Sequence, residues 1–346
     1  MSNIRHYFSA LLKKINPSDE RARLAADLPG EVREWLKDKD DLETSSPHTR
    51  LSGSYARSTA VLDIKDVDML LFLPDSQLER TPNAVLLEVK KALDDYPDAT
   101  AEASGQRRSV HLEFPNLGLH LDIVPAVAHQ GIDESLKVPD RPATEWIESD
   151  PLGYAARLSG LNGSNGGKVV RLIKLIKAWR DVQMKARRPK SYVLEVMILY
   201  AVEDGHILTE NRSFAQITGD FFSYIAAKYD DLMENGKEAP RIRDPQISSH
   251  LITRGWERSH FETFMRRIRE ARRASEKALN ADNDEDRCRE WEKVFVDLWP
   301  LEGEAKQAAE SEAKAVQPGV TRVTSAGLVL GATKPGIPTR QTKYHG

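Results

Sequence analysis

Two short patterns near the start of the chain combine residue types that could act together on a phosphate. Gly53-Ser54 precedes a predicted short helix, and Asp66 and Asp68 alternate within an apolar run that continues to Leu73. A glycine-serine turn that opens a helix offers backbone N–H groups and a hydroxyl to a phosphate. An Asp-x-Asp pair offers carboxylates to Mg²⁺. Together the two patterns indicate a site that handles nucleotides.

The alternation of the two acids predicts their geometry. Side chains two residues apart in a strand point to the same face, so Asp66 and Asp68 project together. Two such carboxylates repel each other, and a divalent cation between them removes that repulsion. A third acid, Asp122, lies in the apolar run 119–124, which is typical of a neighbouring strand of the same sheet. The alternative is a structural cluster of salt bridges.

A set of three carboxylates suits metal-assisted nucleotide chemistry. Two Mg²⁺ ions held by three aspartates, with Mn²⁺ as a substitute, could bind a nucleoside triphosphate. They could also lower the pKa of an attacking hydroxyl and neutralise the leaving pyrophosphate.

The order of these motifs resembles that of the DNA polymerase β-type nucleotidyltransferase superfamily. A second block, residues 170–179 followed by Lys190–Glu195, is similar to the helical-domain signature of oligoadenylate synthases and cyclic GMP-AMP synthase. Their bacterial relatives, the CD-NTases of anti-phage (CBASS) defence, share it. The resemblance spans about residues 45–300.

The resemblance implies roles for the residues of the first block. Asp66, Asp68 and Asp122 would be metal ligands, with Asp122 nearest the attacking hydroxyl. Ser54 would contact the triphosphate beside the Gly53 turn.

The resemblance also implies nucleotide contacts from the helical lobe. Lys177 and Ser191 would reach the triphosphate, and Tyr192 would stack on the donor base, as an aromatic ring can on any base. Each has a plainer alternative: Lys177 could be a solvated position with Lys174 the true phosphate contact, Ser191 could cap its helix, and Tyr192 could be core.

These implications combine into one expectation of fold and function. The fold would be α/β (α+β), with a polymerase β-like core sheet and a helical lobe of the oligoadenylate synthase type. The enzyme would join NTPs, with ATP the expected one, into a cyclic di- or oligonucleotide second messenger. The alternatives are transfer of AMP to a tRNA or protein, and an inactive nucleotide-binding regulator.

Changes in composition predict four segments. Residues 1–45 are expected to form N-terminal helices that brace the lobes, and residues 46–160 the catalytic core. A Gly/Asn-rich break at 160–167 introduces the helical lobe of residues 161–302. Residues 303–346 are expected to be a flexible C-terminal tail.

Local patterns predict individual elements within these segments. Runs 110–114 and 119–124 are expected to form a hairpin that carries Asp122. An apolar stripe predicts an amphipathic helix with Lys174 and Lys177 on its other sides; the stripe consists of Val169, Ile173, Ile176 and Trp179.

Composition limits the classes of protein. The 346 residues are 40% hydrophobic, with no run long enough to span a membrane. The single cysteine, Cys288, excludes an internal disulfide framework and favours a cytoplasmic location. A net charge of -3 does not predict binding of a long nucleic acid.

Two kinds of partner are expected. The resemblance implies an activating partner, and the resemblance together with the last residue implies a ligase. In CBASS systems a ubiquitin-transfer-like ligase joins the synthase's C-terminus to other molecules, and a terminal glycine suits such a ligase because it has no side chain. Gly346 is therefore expected to be a conjugation point, with an idle end as the alternative.

Overall fold

The computed structural model describes residues 3–62, 64–103, 107–142, 144–236 and 238–315, together with a short strand pair further on. The helices are α1 (Ile4–Ile15), α2 (Asp19–Lys37), α3 (Gly53–Ala56), α4 (Pro82–Leu93), α5 (Pro151–Ser164), α6 (Lys168–Gln183), α7 (Ser191–Glu203), α8 (Phe214–Glu234), α9 (Arg258–Asn280), α10 (Asp284–Phe295) and α11 (Glu302–Ala315). The strands are β1 (Thr49–Ser52), β2 (Asp66–Leu73), β3 (Thr100–Glu102), β4 (Val110–Phe114), β5 (Leu119–Val127), β6 (Leu136–Asp140), β7 (Glu145–Ser149), β8 (Arg322–Val323) and β9 (Val329–Leu330).

The core is a mixed sheet in the order β1-β2-β5-β4-β3, extended by β6 and β7 beyond the end of β5. The central pair β2 and β5 is parallel, and the pairs β1–β2 and β4–β5 are antiparallel. The predicted hairpin is therefore confirmed as β4 and β5.

The two halves of strand β2 differ in burial and polarity. Met69 and Leu71 pack on one face against α2 and α4, while Leu70 and Phe72 pack on the other face against β6. Burial on both faces stabilises the second half of the strand. The first half carries Asp66 and Asp68 on the same face as Leu70 and Phe72, so the acids lie where that second core ends.

Two helices precede the sheet and join different cores. Phe8 and Leu11 of α1 pack in the helical lobe with Trp291 and Trp299, and Ala305 of α11 joins the same core. In contrast, α2 packs against the sheet through Ala25, Leu28, Val32 and Leu36.

The structure differs from three sequence predictions. Residues 160–164 continue helix α5, and the chain turns only at Gly166-Gly167, where both φ angles are positive. Helix α6 is not amphipathic: the stripe is buried as predicted, but Lys174 and Lys177 are buried too. Residues 303–315 are not flexible tail, because α11 packs along α1 there.

No helix in the described ranges is both long and apolar enough to cross a membrane.

Candidate active site

The pairing of three strands gathers the predicted acids on one face. Asp68 lies opposite Asp122 across the parallel pair β2–β5, and Asp66 lies opposite His120 two residues away. On the far side of β5, His111 lies opposite Asp122. The structure thus brings all three predicted aspartates together.

Two histidines that the sequence analysis missed lie among these acids. His111 Nδ1 is 3.1 Å from Asp122 Oδ1, and His120 Nε2 contacts Asp66 Oδ1. One ligand atom each of His111, His120 and Asp122 lies within 4.8 Å of the others. Their polar alternation along β4 and β5 was the signal that could have identified them.

Gly53 is pressed against the acids. Its φ is +67°, and a Cβ added there would lie 1.7 Å from Asp68 Oδ2. Only glycine fits both the conformation and the space. The turn that follows is closed because Thr59 N–H donates to the Ser54 carbonyl at 2.9 Å. Ser54 is thereby held beside the carboxylate face.

The electrostatics of this face favour a bound cation. Burial raises the pKa of Asp68 to about 6, the carboxylates of Asp122 and Asp66 add to the rise, and Arg57 opposes it. A divalent cation would reverse the effect, since it removes the repulsion between carboxylates. Carboxylate oxygens suit Mg²⁺ and Mn²⁺, so the donor set fits such an ion.

A buried network ties the same turn to the helical lobe. Glu195 of α7 is 0% exposed. It accepts from Arg57 Nε at 2.9 Å and from Thr59 Oγ1 at 2.9 Å, and Lys177 Nζ lies 3.4 Å away. Lys177 Nζ also donates to the Thr59 carbonyl at 2.7 Å. The network therefore links β1–α3, α6 and α7.

This network changes the interpretation of Lys177. The side chain is 4% exposed, and its ammonium already contacts Glu195 and the Thr59 carbonyl. Burial would raise the pKa of Glu195, but Arg57 and Lys177 lower it. In this arrangement Lys177 holds the turn, and its contact with a triphosphate stays a prediction. The signal for Glu195 was a lone acid within an apolar helix.

Comparison with known proteins supports the family. Residues 1–162 match the SMODS family, described as a Second Messenger Oligonucleotide or Dinucleotide Synthetase domain. A cyclic AMP-AMP-AMP synthase from an Acinetobacter sp. is 26% identical over 350 residues, which cover 98% of this chain and 96% of that protein. Both matches indicate a CD-NTase.

Solved structures share the CD-NTase fold. CdnC from E. coli MS115-1, solved in a complex with HORMA-deltaN, matches with a TM-score of 0.68 and 18% identity, covering 86% of this chain and 98% of CdnC. DncV from Vibrio cholerae, a cyclic AMP-GMP synthase, matches with a TM-score of 0.66 and 12% identity, covering 88% of this chain and 99% of DncV. The predicted fold class is confirmed.

The remaining predicted residues of the helical lobe lie at the start of α7. Ser191 Oγ accepts from Arg180 Nη1 at 3.0 Å, and Lys190, not Ser191, is the N-cap residue. Tyr192 is half-buried: its hydroxyl donates to Asp244 Oδ2 at 2.9 Å, and its ring meets Tyr154 edge-on. The nucleotide roles of Ser191 and Tyr192 stay predictions.

Gly346 lies outside the described residues, so conjugation at that position also stays a prediction.

Proposed function

We propose that this CD-NTase joins NTPs into a cyclic oligonucleotide by metal-dependent nucleotidyl transfer. The observation that carries the proposal is the meeting of Asp66, Asp68 and Asp122 on one sheet face with Gly53 packed against Asp68. The named activities of the cyclic AMP-AMP-AMP synthase and of the cyclic AMP-AMP-GMP synthase from Enterobacter hormaechei support the class of product.

The aspartates and the Ser54 turn would have different roles in the reaction. Asp66, Asp68 and Asp122 would hold two Mg²⁺ ions, and Asp122 would lie nearest the attacking ribose hydroxyl. Bound cations would lower the pKa of that hydroxyl and neutralise the departing pyrophosphate. Ser54 and the backbone N–H groups of its turn would orient the triphosphate, because a donor fixed before binding loses little entropy on binding.

ATP is the substrate that the relatives support. CdnC was solved with ATP, and both relatives cited above are named for products that contain AMP. We propose that ATP occupies at least the donor position, with its base beside Tyr192, since an aromatic ring stacks on any base.

Partner proteins are proposed on separate grounds. The CdnC complex with HORMA-deltaN supports a protein regulator for this chain. The conjugation proposed for Gly346 has its own test: deleting Gly346 should leave nucleotide synthesis intact and abolish conjugates formed by the cognate ligase. Conjugates that persist after the deletion would refute it.

One assay separates the candidate activities. Purified protein is incubated with α-labelled NTPs and Mg²⁺ or Mn²⁺, and the mixture is then treated with phosphatase. A phosphatase-resistant small molecule would support cyclic product formation, whereas label on tRNA or protein would support AMP transfer. No turnover with either metal, with or without cell extract, would support an inactive regulator and contradict the proposal.

A further inference from the structure

A cavity lies beside the buried network, with Arg57 in its wall. Its volume is about 210 Å³, and α1, α5, α6 and the segment after α3 form its walls. Arg57, Arg171 and Lys174 line it, together with polar groups such as Asn16 and Ser58. Among the described residues, no carboxylate lines this cavity, and no member of the aspartate face does so either.

Two of these cations lack a carboxylate partner within the described part of the chain. Lys174 is 9% exposed, and its ammonium donates to a neutral acceptor, Asn16 Oδ1, at 2.7 Å. Arg171 is half-buried, and its guanidinium lies 5.8 Å from the centre of the Phe214 ring. Burial lowers the pKa of Lys174 to about 8, and Lys177 and Arg171 add to that effect. Arg171 and Lys174 are three residues apart on α6 and line the same cavity, so their charges repel each other.

The neighbouring network does not offset this charge. Glu195 is the carboxylate that Arg57 and Lys177 share. Among the described residues, Arg171 and Lys174 have no contact with Glu195, so their charges are left in excess beside the cavity. A buried cation without a counter-charge is costly, and an anion is what removes that cost.

From these contacts we propose that the cavity binds an oxyanion of the phosphate class, held by Lys174 and Arg171. An arginine offers several donors to phosphate oxygens, and a lysine offers a compact charge. Pockets that hold complete small ligands usually enclose about 300–1,000 Å³. This smaller cavity suits inorganic phosphate, pyrophosphate or the phosphate group of a small metabolite.

The position of the cavity gives the anion a structural consequence. Ala56 and Ser58 in its wall directly follow the turn that carries Ser54. A bound anion would fix that segment where it forms the cavity wall. Occupancy should therefore raise the melting temperature of the protein as the anion concentration rises.

Isothermal titration calorimetry with phosphate and with pyrophosphate tests the proposal. It is run in EDTA without NTP, so its outcome is independent of the proposed synthesis. Wild type should bind at least one of the two anions, and Lys174→Met and Arg171→Gln should each weaken that binding about tenfold, as loss of one charged hydrogen bond does. Lys13→Met, which removes an exposed cation of α1, should bind as wild type does.

Circular dichroism melts would show that the variants fold, and Lys174→Met is expected to fold because it replaces a buried cation with a similar apolar volume. The inference is overturned if wild type binds neither anion, or if both cavity variants keep wild-type affinity. It is also overturned if Ser54→Ala loses the binding while Lys174→Met keeps it, since the anion would then lie at the catalytic turn.

Discussion

The segment 53–59 lies between two charged sites that are built in opposite ways. On one side, Glu195 is fully buried and meets two cations and a hydroxyl, so its charge is compensated within the protein. On the other side, Asp68 faces Asp122 across a strand pair, and burial, with repulsion from Asp122 and Asp66 added to it, raises the pKa of Asp68.

The difference separates a structural site from a site that awaits a ligand. A compensated buried carboxylate stabilises the fold, and removing it leaves unpaired charges behind. Carboxylates that repel each other destabilise the metal-free fold, and removing one of them relieves strain. The two sites should therefore respond to neutralisation with opposite signs.

The largest expected effect is at the compensated site. Glu195→Ala should lower the free energy of unfolding by about 3–5 kcal/mol, because Arg57 and Lys177 would remain buried without a counter-charge. Denaturant unfolding measures this value. The control is Glu276→Ala, which breaks an exposed i,i+4 pair with Arg272 and should cost less than about 1 kcal/mol. Equal effects of the two variants would show that the network is not structural.

The next effect is at the contact between the turn and the acids. Gly53→Ala should destabilise the protein by about 2–4 kcal/mol, because the new Cβ meets Asp68 and φ is positive. Gly30→Ala is a matched control, since nothing lies within 4 Å of its added Cβ; this helix position should gain about 0.4–1 kcal/mol. Thermal melts of both variants compare them. A neutral Gly53→Ala would show that the turn does not press on Asp68.

The uncompensated site should show the opposite sign and a pH dependence. The pKa of Asp68 is raised from 3.8 to about 6, so its contribution to stability is present below about pH 4 and is lost as pH rises through about 6. In EDTA at pH 8, Asp68→Asn should thus be more stable than wild type by about 1–3 kcal/mol. The gain should vanish near pH 4, as urea unfolding at both pH values would show. A gain that is the same at both would exclude titration of Asp68 as its cause.

The smallest effect concerns Tyr192, whose ring centre lies 5.9 Å from the guanidinium of Arg57. Tyr192→Phe removes the hydrogen bond to Asp244 and should cost about 1 kcal/mol of stability while leaving the KM for NTP unchanged. Tyr192→Ala also removes the ring and should raise that KM about 5- to 150-fold, the equivalent of about 1–3 kcal/mol of stacking. Steady-state kinetics separate the two. If the KM rises equally in both variants, the hydroxyl rather than the ring contacts the nucleotide.

Sequence reasoning could predict the aspartate face because its signal is local. Acids that alternate in apolar strands conflict with burial unless they share a ligand, and strand period 2 fixes their common side. The burial of Lys174 and Lys177 in α6 was harder to predict, because their hydrogen-bond partners, Asn16 and Thr59, lie more than a hundred residues away in the sequence. Periodicity within one helix cannot reveal such partners. The prediction of a break at 160–167 was wrong over its first half, because α5 continues through Gly160 and Gly163 to Ser164.

The most direct measurement of the central claim is the initial rate of pyrophosphate release from ATP with Mg²⁺. Asp122→Asn should lower this rate at least about a thousandfold, because the loss of one ligand removes several kcal/mol of metal-dependent stabilisation. Asp41→Asn, at an exposed aspartate paired with Lys91, should leave the rate unchanged. A rate for Asp122→Asn within about tenfold of wild type, with folding intact, would contradict the assignment of the aspartate face as the active site.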